Sequence, residues 1–266
     1  REQYRAIITG SDQVWNPHIF DFDEMFFFPF ETKAIKIGYS VSIGESSLKD
    51  IRGYSKYAKD FLYVGLREKG AKEKVEAICG HSVVDTVDPV LLLTREDWET
   101  FVDKSSPLGK EKYLLCYLID KKPIKQNMAI AEQIAKERGL KIKYIWMHLE
   151  KESFRGNFIN DASPVEFLNY VYHASAVMTD GYHGTVFSTI FNKPMYSVIN
   201  NRQSTDSRIR DYLTLIGLES RIFYGDAPAI PKEEIDYTEV DPKIRSVADE
   251  SKAFLQSAID NERVVR

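Results

Sequence analysis

Ala176-Val177-Met178-Thr179, then Asp180-Gly181-Tyr182-His183, then the segment 184–191, then Met195-Tyr196-Ser197-Val198-Ile199, read as strand, glycine-flanked turn, helix and strand. A short apolar run that turns into a helical stretch and returns to an apolar run is a βαβ unit, and repeated units of this kind build a mostly parallel α/β sheet. The same alternation extends outward in both directions. Upstream, 113–119 and 142–147 read as strands. Between them lies a helix over 123–138, with Pro123 at its first position and Gly139 past its end. Ile124, Met128, Ala131, Ile134 and Ala135 recur along it at helical spacing, so one face packs on a sheet. Ser163-Pro164-Val165-Glu166 is a capping box that opens a helix to about 174. Downstream, a helix over 208–215 stops at Gly217, and a terminal helix is expected from Pro242 to about 259.

Toward the N-terminus the pattern predicts strands at Ala6–Thr9, Ile35–Val41, 62–66 and 83–87, with helices over 48–61 and 68–79. The Ser-, Pro- and Gly-bearing stretch 103–110 breaks the alternation and is the best linker. The expected organisation is therefore a first Rossmann-like half over 1–104, a second over 110–240, and a C-terminal helix over 241–266. Two such halves place ligands off the carboxyl ends of their strands, in a cleft between them.

Composition narrows the partners. At 266 residues, with 43% hydrophobic and 29% charged residues, the chain has an ordinary globular balance. No run of about 18 apolar residues occurs, so no transmembrane segment is expected. The start lacks a secretory signal, and a soluble cytoplasmic protein is the expectation. The aromatic run Met25 to Phe30 reads as core packing, with a docking patch as the alternative. Cys79 and Cys116 have no metal or redox spacing and read as reduced core thiols. A net charge of −4 with no dominant basic patch argues against nucleic acid. Any anion site must then be built locally, from particular arginines and helix N-termini.

Four places stand out as candidates for such a site or for the chemistry beside it. In the 179–185 turn, a helix beginning near Gly184 and Thr185 presents backbone N–H groups suited to phosphate or carboxylate. His183 at its lip can pair with an anion or pass a proton. The plainer alternative is a tight turn with a satisfied, half-buried histidine. Gly10-Ser11-Asp12 also comes after a strand; Asp12 can serve as a general base, or Ser11 or Asp12 can simply cap the next helix. Arg67 ends a strand and can hold a carboxylate through two parallel hydrogen bonds, or pair with a neighbouring acid. Arg202, Arg208 and Arg210 form a second basic cluster, equally readable as a solvated helix face. Metal-ligand spacing, a Walker-type loop and a GxGxxG fingerprint are all lacking.

Taken together, the stretches Ile8 to Asn16, Arg67-Glu68-Lys69-Gly70, Val87-Asp88-Pro89 to Leu92, Ser163-Pro164 to Phe167, Thr179 to Pro194 and Asp206-Ser207-Arg208 to Leu218 resemble the polysaccharide pyruvyl transferase family. The resemblance implies a GT-B-like architecture with phosphoenolpyruvate as donor and a sugar diol, free or on a lipid-linked oligosaccharide, as acceptor. It implies no further cofactor. The family's histidine falls on His183 and its donor-binding arginine on Arg67. A second arginine falls on Arg208, with Arg202 as a rival. Ser11, Gly184 and Thr185 join the expected donor contacts, and Asp12 the expected base. Asp180-Gly181-Tyr182 replaces the Ser-Phe that many relatives carry before the histidine, a change expected in turn shape more than in chemistry. Relatives also carry an N-terminal strand–helix unit, so part of the first sheet and some acceptor contacts are expected to be missing here. The segment 150–161 is the expected acceptor loop, and a nucleotide-sugar glycosyltransferase is the rival activity on the same architecture.

Overall fold

The computed structural model describes residues 4–119, 124–146, 157–199, 207–224, 230–231 and 233–260. Their contacts divide the chain into two units, the first made of 1–92, 205–211 and 241–266, the second of 93–204 and 212–240. The first unit closes at Leu92, ahead of the expected boundary at 104, because the segment after it packs within the second. Trp98 meets Phe187 edge-on at 4.9 Å, and the Asp103 N–H donates to Asn169 Oδ1. The 103–110 stretch is therefore docked, with a 3-10 turn at Pro107–Lys110. The C-terminal helix is not a separate body either, since its residues from 241 onward belong to the first unit.

In the first unit, β1 (Ala6–Thr9), β2 (Ile35–Val41), β3 (Phe61–Leu66) and β4 (Val84–Asp85) form a parallel sheet in sequential order. Short helices α1 (Leu48–Ile51), α2 (Ser55–Ala58) and α3 (Lys72–Cys79) accompany them. The single helix expected over 48–61 is broken by a 3-10 turn at Arg52–Tyr54, and Phe61 already belongs to β3. Gly53, a poor helix former, sits in the break. Pairing of β2 with β3 runs Gly38↔Val64 and then Val41↔Leu66, so β2 carries one extra residue, with Ser40 at φ 51°. Ile37 and Val41, four apart, would share one face of a regular strand; across this bulge they enter different clusters. Val41 joins Trp15, Phe27, Ile51, Phe61, Leu66 and Ile78, while Ile37 packs with Tyr63 and Ala258. Phe27 stacks on Trp15 at 4.8 Å, so the aromatic run does fill the core, although Met25 and Phe30 stay exposed.

The second unit holds α4 (Arg95–Glu99), β5 (Tyr113–Leu118), α5 (Ile124–Arg138), β6 (Lys141–Trp146), β7 (Asn157–Ile159), α6 (Pro164–His173), β8 (Ala176–Thr179), α7 (Tyr182–Ile190), β9 (Met195–Ile199) and β10 (Ile222–Tyr224). α8 (Ser207–Ile216) lies in the second unit from Tyr212 onward, and α9 (Tyr237–Asp260) up to Val240. α9 begins ahead of Pro242, which lies inside it; Asp236 accepts the Thr238 N–H and starts the helix earlier. The sheet order is β10-β9-β8-β5-β6-β7, all parallel. In order of appearance this is the 3-2-1-4-5-6 arrangement of a Rossmann sheet, whose topological switch lies between β5 and β8. Cys79 and Cys116 are buried free thiols, and burial pushes the Cys79 thiol up to about 12.

Candidate active site

In the first unit the chain leaves β1 at Gly10, with φ 127° and only 1.9 Å between an ideal Cβ and the Tyr39 carbonyl oxygen. No side chain fits there. Asp12 comes next but one at φ 68°, a left-handed conformation that aspartate tolerates better than most residues. The loop is then sewn to the end of β2: the Ser42 N–H donates to Asp12 O, and the Trp15 N–H to Ser42 O. Trp15 is fully buried, and its indole N–H donates to Phe26 O. With its backbone fixed, Asp12 presents a carboxylate that is 55% exposed.

That carboxylate meets both predicted arginines. Arg67 leaves β3 with its N–H bonded to Val41 O, and its side chain is only 2% exposed. Its Nη2 donates to Asp12 Oδ1 at 2.6 Å and its Nη1 to Asp88 Oδ2 at 2.8 Å. Arg208, in the first turn of α8, donates to the same Asp12 Oδ1 at 3.3 Å. Ser11 Oγ donates to Ser40 O and, at 3.4 Å, to Asp88 Oδ2. The structure thus brings Ser11, Asp12, Arg67 and Arg208 together at the carboxyl ends of the strands. Arg67 is a buried group held between two aspartates, not a strand-end cation facing solvent. Such burial is tolerable only because both carboxylates compensate its lost hydration.

Two acids of this cluster escape a reading of the sequence. Asp88, 1% exposed, also caps the next turn by accepting the Val90 N–H. Its signals in the sequence are its place before Pro89 and inside a stretch that carries the family resemblance, neither of which gives it a role. Glu68, 3% exposed, comes directly after Arg67 and turns toward residues 42–44. Burial pushes its carboxyl above the usual range, opposed by the Ser42 hydrogen bond and by the Arg67 and Arg208 charges.

In the second unit the switch point is occupied by Asp180. Its Oδ1 accepts the Ile119 N–H at 2.7 Å and its Oδ2 the Asn127 amide at 3.2 Å, tying the end of β8 to β5 and α5. Gly181 is the helix cap, and the first intrahelical bond of α7 runs from Thr185 N to Gly181 O. The helix therefore begins at Tyr182, two residues earlier than the sequence suggests, and His183 lies inside its first turn. The histidine is half-buried, with its ring edge-on to Tyr182 at 5.5 Å. Thr185 differs from expectation. Its N–H is spent within the helix, and its fully buried hydroxyl bonds Gly181 O and Ser197 Oγ. Gly184 is likewise interior; an ideal Cβ would sit 2.3 Å from Thr179 Oγ1 and 2.7 Å from Tyr117 Cδ1. Their role here is to bring the helix close to the sheet, which leaves His183 as the group of that turn with chemistry to offer.

Arg202 and most of the expected acceptor loop 150–161 lie outside the described residues. Among the described residues, no three His, Cys, Asp or Glu side chains group as metal ligands, and no helix is long and apolar enough to cross a membrane.

The sequence matches the family model described as "Polysaccharide pyruvyl transferase" over residues 1–202. The chain belongs to that family. The match to the pyruvyl transferases contains Ser11, Asp12, Arg67 and His183, ends at Arg202, and stops short of Arg208. Among curated proteins none matches the sequence. Among solved structures, this pyruvyl transferase family member is similar to a UDP-N-acetylglucosamine 2-epimerase from Rickettsia bellii. The two share 13% identity and a TM-score of 0.54, over 87% of this chain and 70% of that one. A candidate UDP-N-acetylglucosamine 2-epimerase from Listeria monocytogenes gives 12% and 0.53, over 91% and 71%. At such identity the likeness speaks to fold alone: a GT-B-like α/β architecture of two parallel-sheet halves.

Proposed function

We propose that the chain transfers a pyruvyl group from phosphoenolpyruvate to two hydroxyls of a sugar, free or carried on a lipid-linked oligosaccharide, as a ketal. Family membership supplies the reaction class. The observation that carries the residue assignment is the single oxygen of Asp12 held by Arg67 and Arg208 at the carboxyl edge of the first sheet.

The reaction adds a proton to the methylene carbon of the donor, creating an oxocarbenium-like carbon beside the carboxylate. One sugar hydroxyl adds there, phosphate leaves, and the second hydroxyl closes the ketal. Of the two hydroxyl protons, one balances the new methyl group and the other departs with phosphate. Such chemistry needs cations for the donor's carboxylate and phosphate, an acid for the methylene carbon and a base for the hydroxyls. Arg208, less buried than Arg67, takes the donor's negative charge. Arg67, locked between Asp12 and Asp88, holds Asp12 in place. Asp12 is the base. His183 binds phosphate and delivers the proton, assisted by the first turn of α7.

The rival is use of a nucleotide sugar, the kind of molecule named for the structural neighbours. Thermal denaturation separates the two. Phosphoenolpyruvate at about 100 times its Kd should stabilise the protein by about 2.7 kcal/mol. UDP-sugars at the same concentration should leave Tm unchanged. The reverse pattern would remove the proposal.

A further inference from the structure

Glu68 is the buried acid of the first unit to which the proposed chemistry gives no task. Its Oε1 gathers three donors from one turn: Ser42 Oγ at 2.8 Å, Ile43 N at 2.9 Å and Gly44 N at 3.2 Å. Among the described residues, its Oε2 is buried and takes no hydrogen bond. A carboxylate buried on these terms is costly unless the turn it organises returns the cost elsewhere.

The turn it grips is the one that fixes Asp12. Ser42, held through its hydroxyl by Glu68, uses its own N–H on Asp12 O and its carbonyl on Trp15 N. The bulge of β2 at Ser40 lies two residues earlier, where a regular ladder is already lost, so strand pairing alone does not set residues 42–44. Gly44, at φ 55°, packs so closely on Gln13 that an ideal Cβ would come within 2.4 Å of its side-chain oxygen. Asn16 closes the far end, its Nδ2 donating to Gln13 and its Oδ1 accepting from Ser46. Loop 11–16 and turn 42–46 are therefore one zipped body, and Glu68 holds that body to the end of β3, next to Arg67.

We infer that Glu68 is a positioning residue, which through Ser42 sets the distance between the Asp12 carboxylate and the two guanidinium groups. It touches neither donor nor acceptor. This rests on the assignment of Asp12 as base, and the experiment is chosen to keep the two apart.

Crystal structures of the wild-type protein, Glu68→Ala and Glu68→Gln test the placement directly. Glutamine keeps an acceptor oxygen for the three donors and alanine keeps none. The Asp12 carboxylate should therefore stay on Arg67 in Glu68→Gln and leave it in Glu68→Ala. Asp12 unmoved in Glu68→Ala overturns the inference. If the alanine variant does not fold, Ser42→Ala removes the hydroxyl link alone and is judged by the same displacement. Kinetics give the consequence. Glu68→Ala should lower kcat by about 100-fold with KM for phosphoenolpyruvate changed less than about threefold, and Glu68→Gln should recover most of the loss. A merely structural glutamate would lower Tm and leave both constants of the folded enzyme intact; a rise in KM alone would make it a donor-binding group, and either contradicts positioning. If the wild-type protein transfers no pyruvyl group, the proposed function fails, and the position of Asp12 in the variants still decides the role of Glu68.

Discussion

The carboxyl edge of the first sheet is built from charge, and that of the second from shape. In the first unit Arg67, Arg208, Asp12, Asp88 and Glu68 meet within a few hydrogen bonds, with the arginine at their centre almost wholly buried. In the second, the equivalent edge is Asp180, two glycines and buried hydroxyls, with the His183 imidazole in the first turn of α7. The contrast suits the proposed chemistry. That chemistry asks for cations, which the first edge holds, and for a proton donor, the task proposed for His183.

The contrast can be broken by substitution. Arg67→Ala takes from the buried Asp88 carboxylate the guanidinium that compensates it, and should cost about 3–5 kcal/mol in chemical denaturation. A loss below about 1 kcal/mol would mean that the charged edge is not the structural centre of its unit. In the second unit the equivalent blow is Gly184→Ala, which forces a methyl group against Thr179 and Tyr117. Overpacking of that kind should cost about 1–3 kcal/mol, with Thr179→Ser in the same background giving no relief because the hydroxyl oxygen remains.

The pH dependence of stability sharpens the comparison, because the first edge titrates as a buried group. Glu68 is held above its ordinary value of 4.5, chiefly by burial. An acid with a raised folded pKa stabilises fully below its unfolded value. That contribution is lost as pH rises, because the unfolded chain releases its proton first. The contribution of Glu68 should therefore be lost as pH climbs from about 4.5 through its folded value, and the difference between wild type and Glu68→Gln should follow that loss. A difference constant with pH places the titration elsewhere. The smallest structural effect is expected from Arg208→Ala, a partly exposed arginine whose loss should cost under about 1 kcal/mol.

Much of the scaffold was legible because its signals are local. Ile35–Val41, Ala176–Thr179 and Met195–Ile199 are strands at the limits their apolar runs predict, and the Ser163–Glu166 capping box starts α6 as read. Their positions at strand ends and a helix start make Gly10-Ser11-Asp12, Arg67 and Arg208 candidates, but only the family resemblance singles them out, with Arg202 as a rival to Arg208. The hidden part depends on pairing between distant segments. The β2 bulge leaves no mark in the alternation of residues 35–41, so the turn toward Glu68 could not be foreseen. Asp88 becomes Arg67's partner only once β3 and β4 lie side by side. The start of α7 is not legible because a glycine-flanked turn looks alike whether the helix begins before or after His183; the Thr185 N–H bond to Gly181 O settles it.

The most direct test is calorimetric titration of phosphoenolpyruvate into the wild-type protein and Arg208→Ala, with UDP-N-acetylglucosamine as the competing ligand. With Arg208 as the cation assigned to the anionic donor, phosphoenolpyruvate should bind the wild-type protein, Arg208→Ala should bind it about tenfold or more weakly with stability nearly intact, and the UDP-sugar should not bind. Equal affinity in both proteins, or heat from the UDP-sugar alone, would contradict the account.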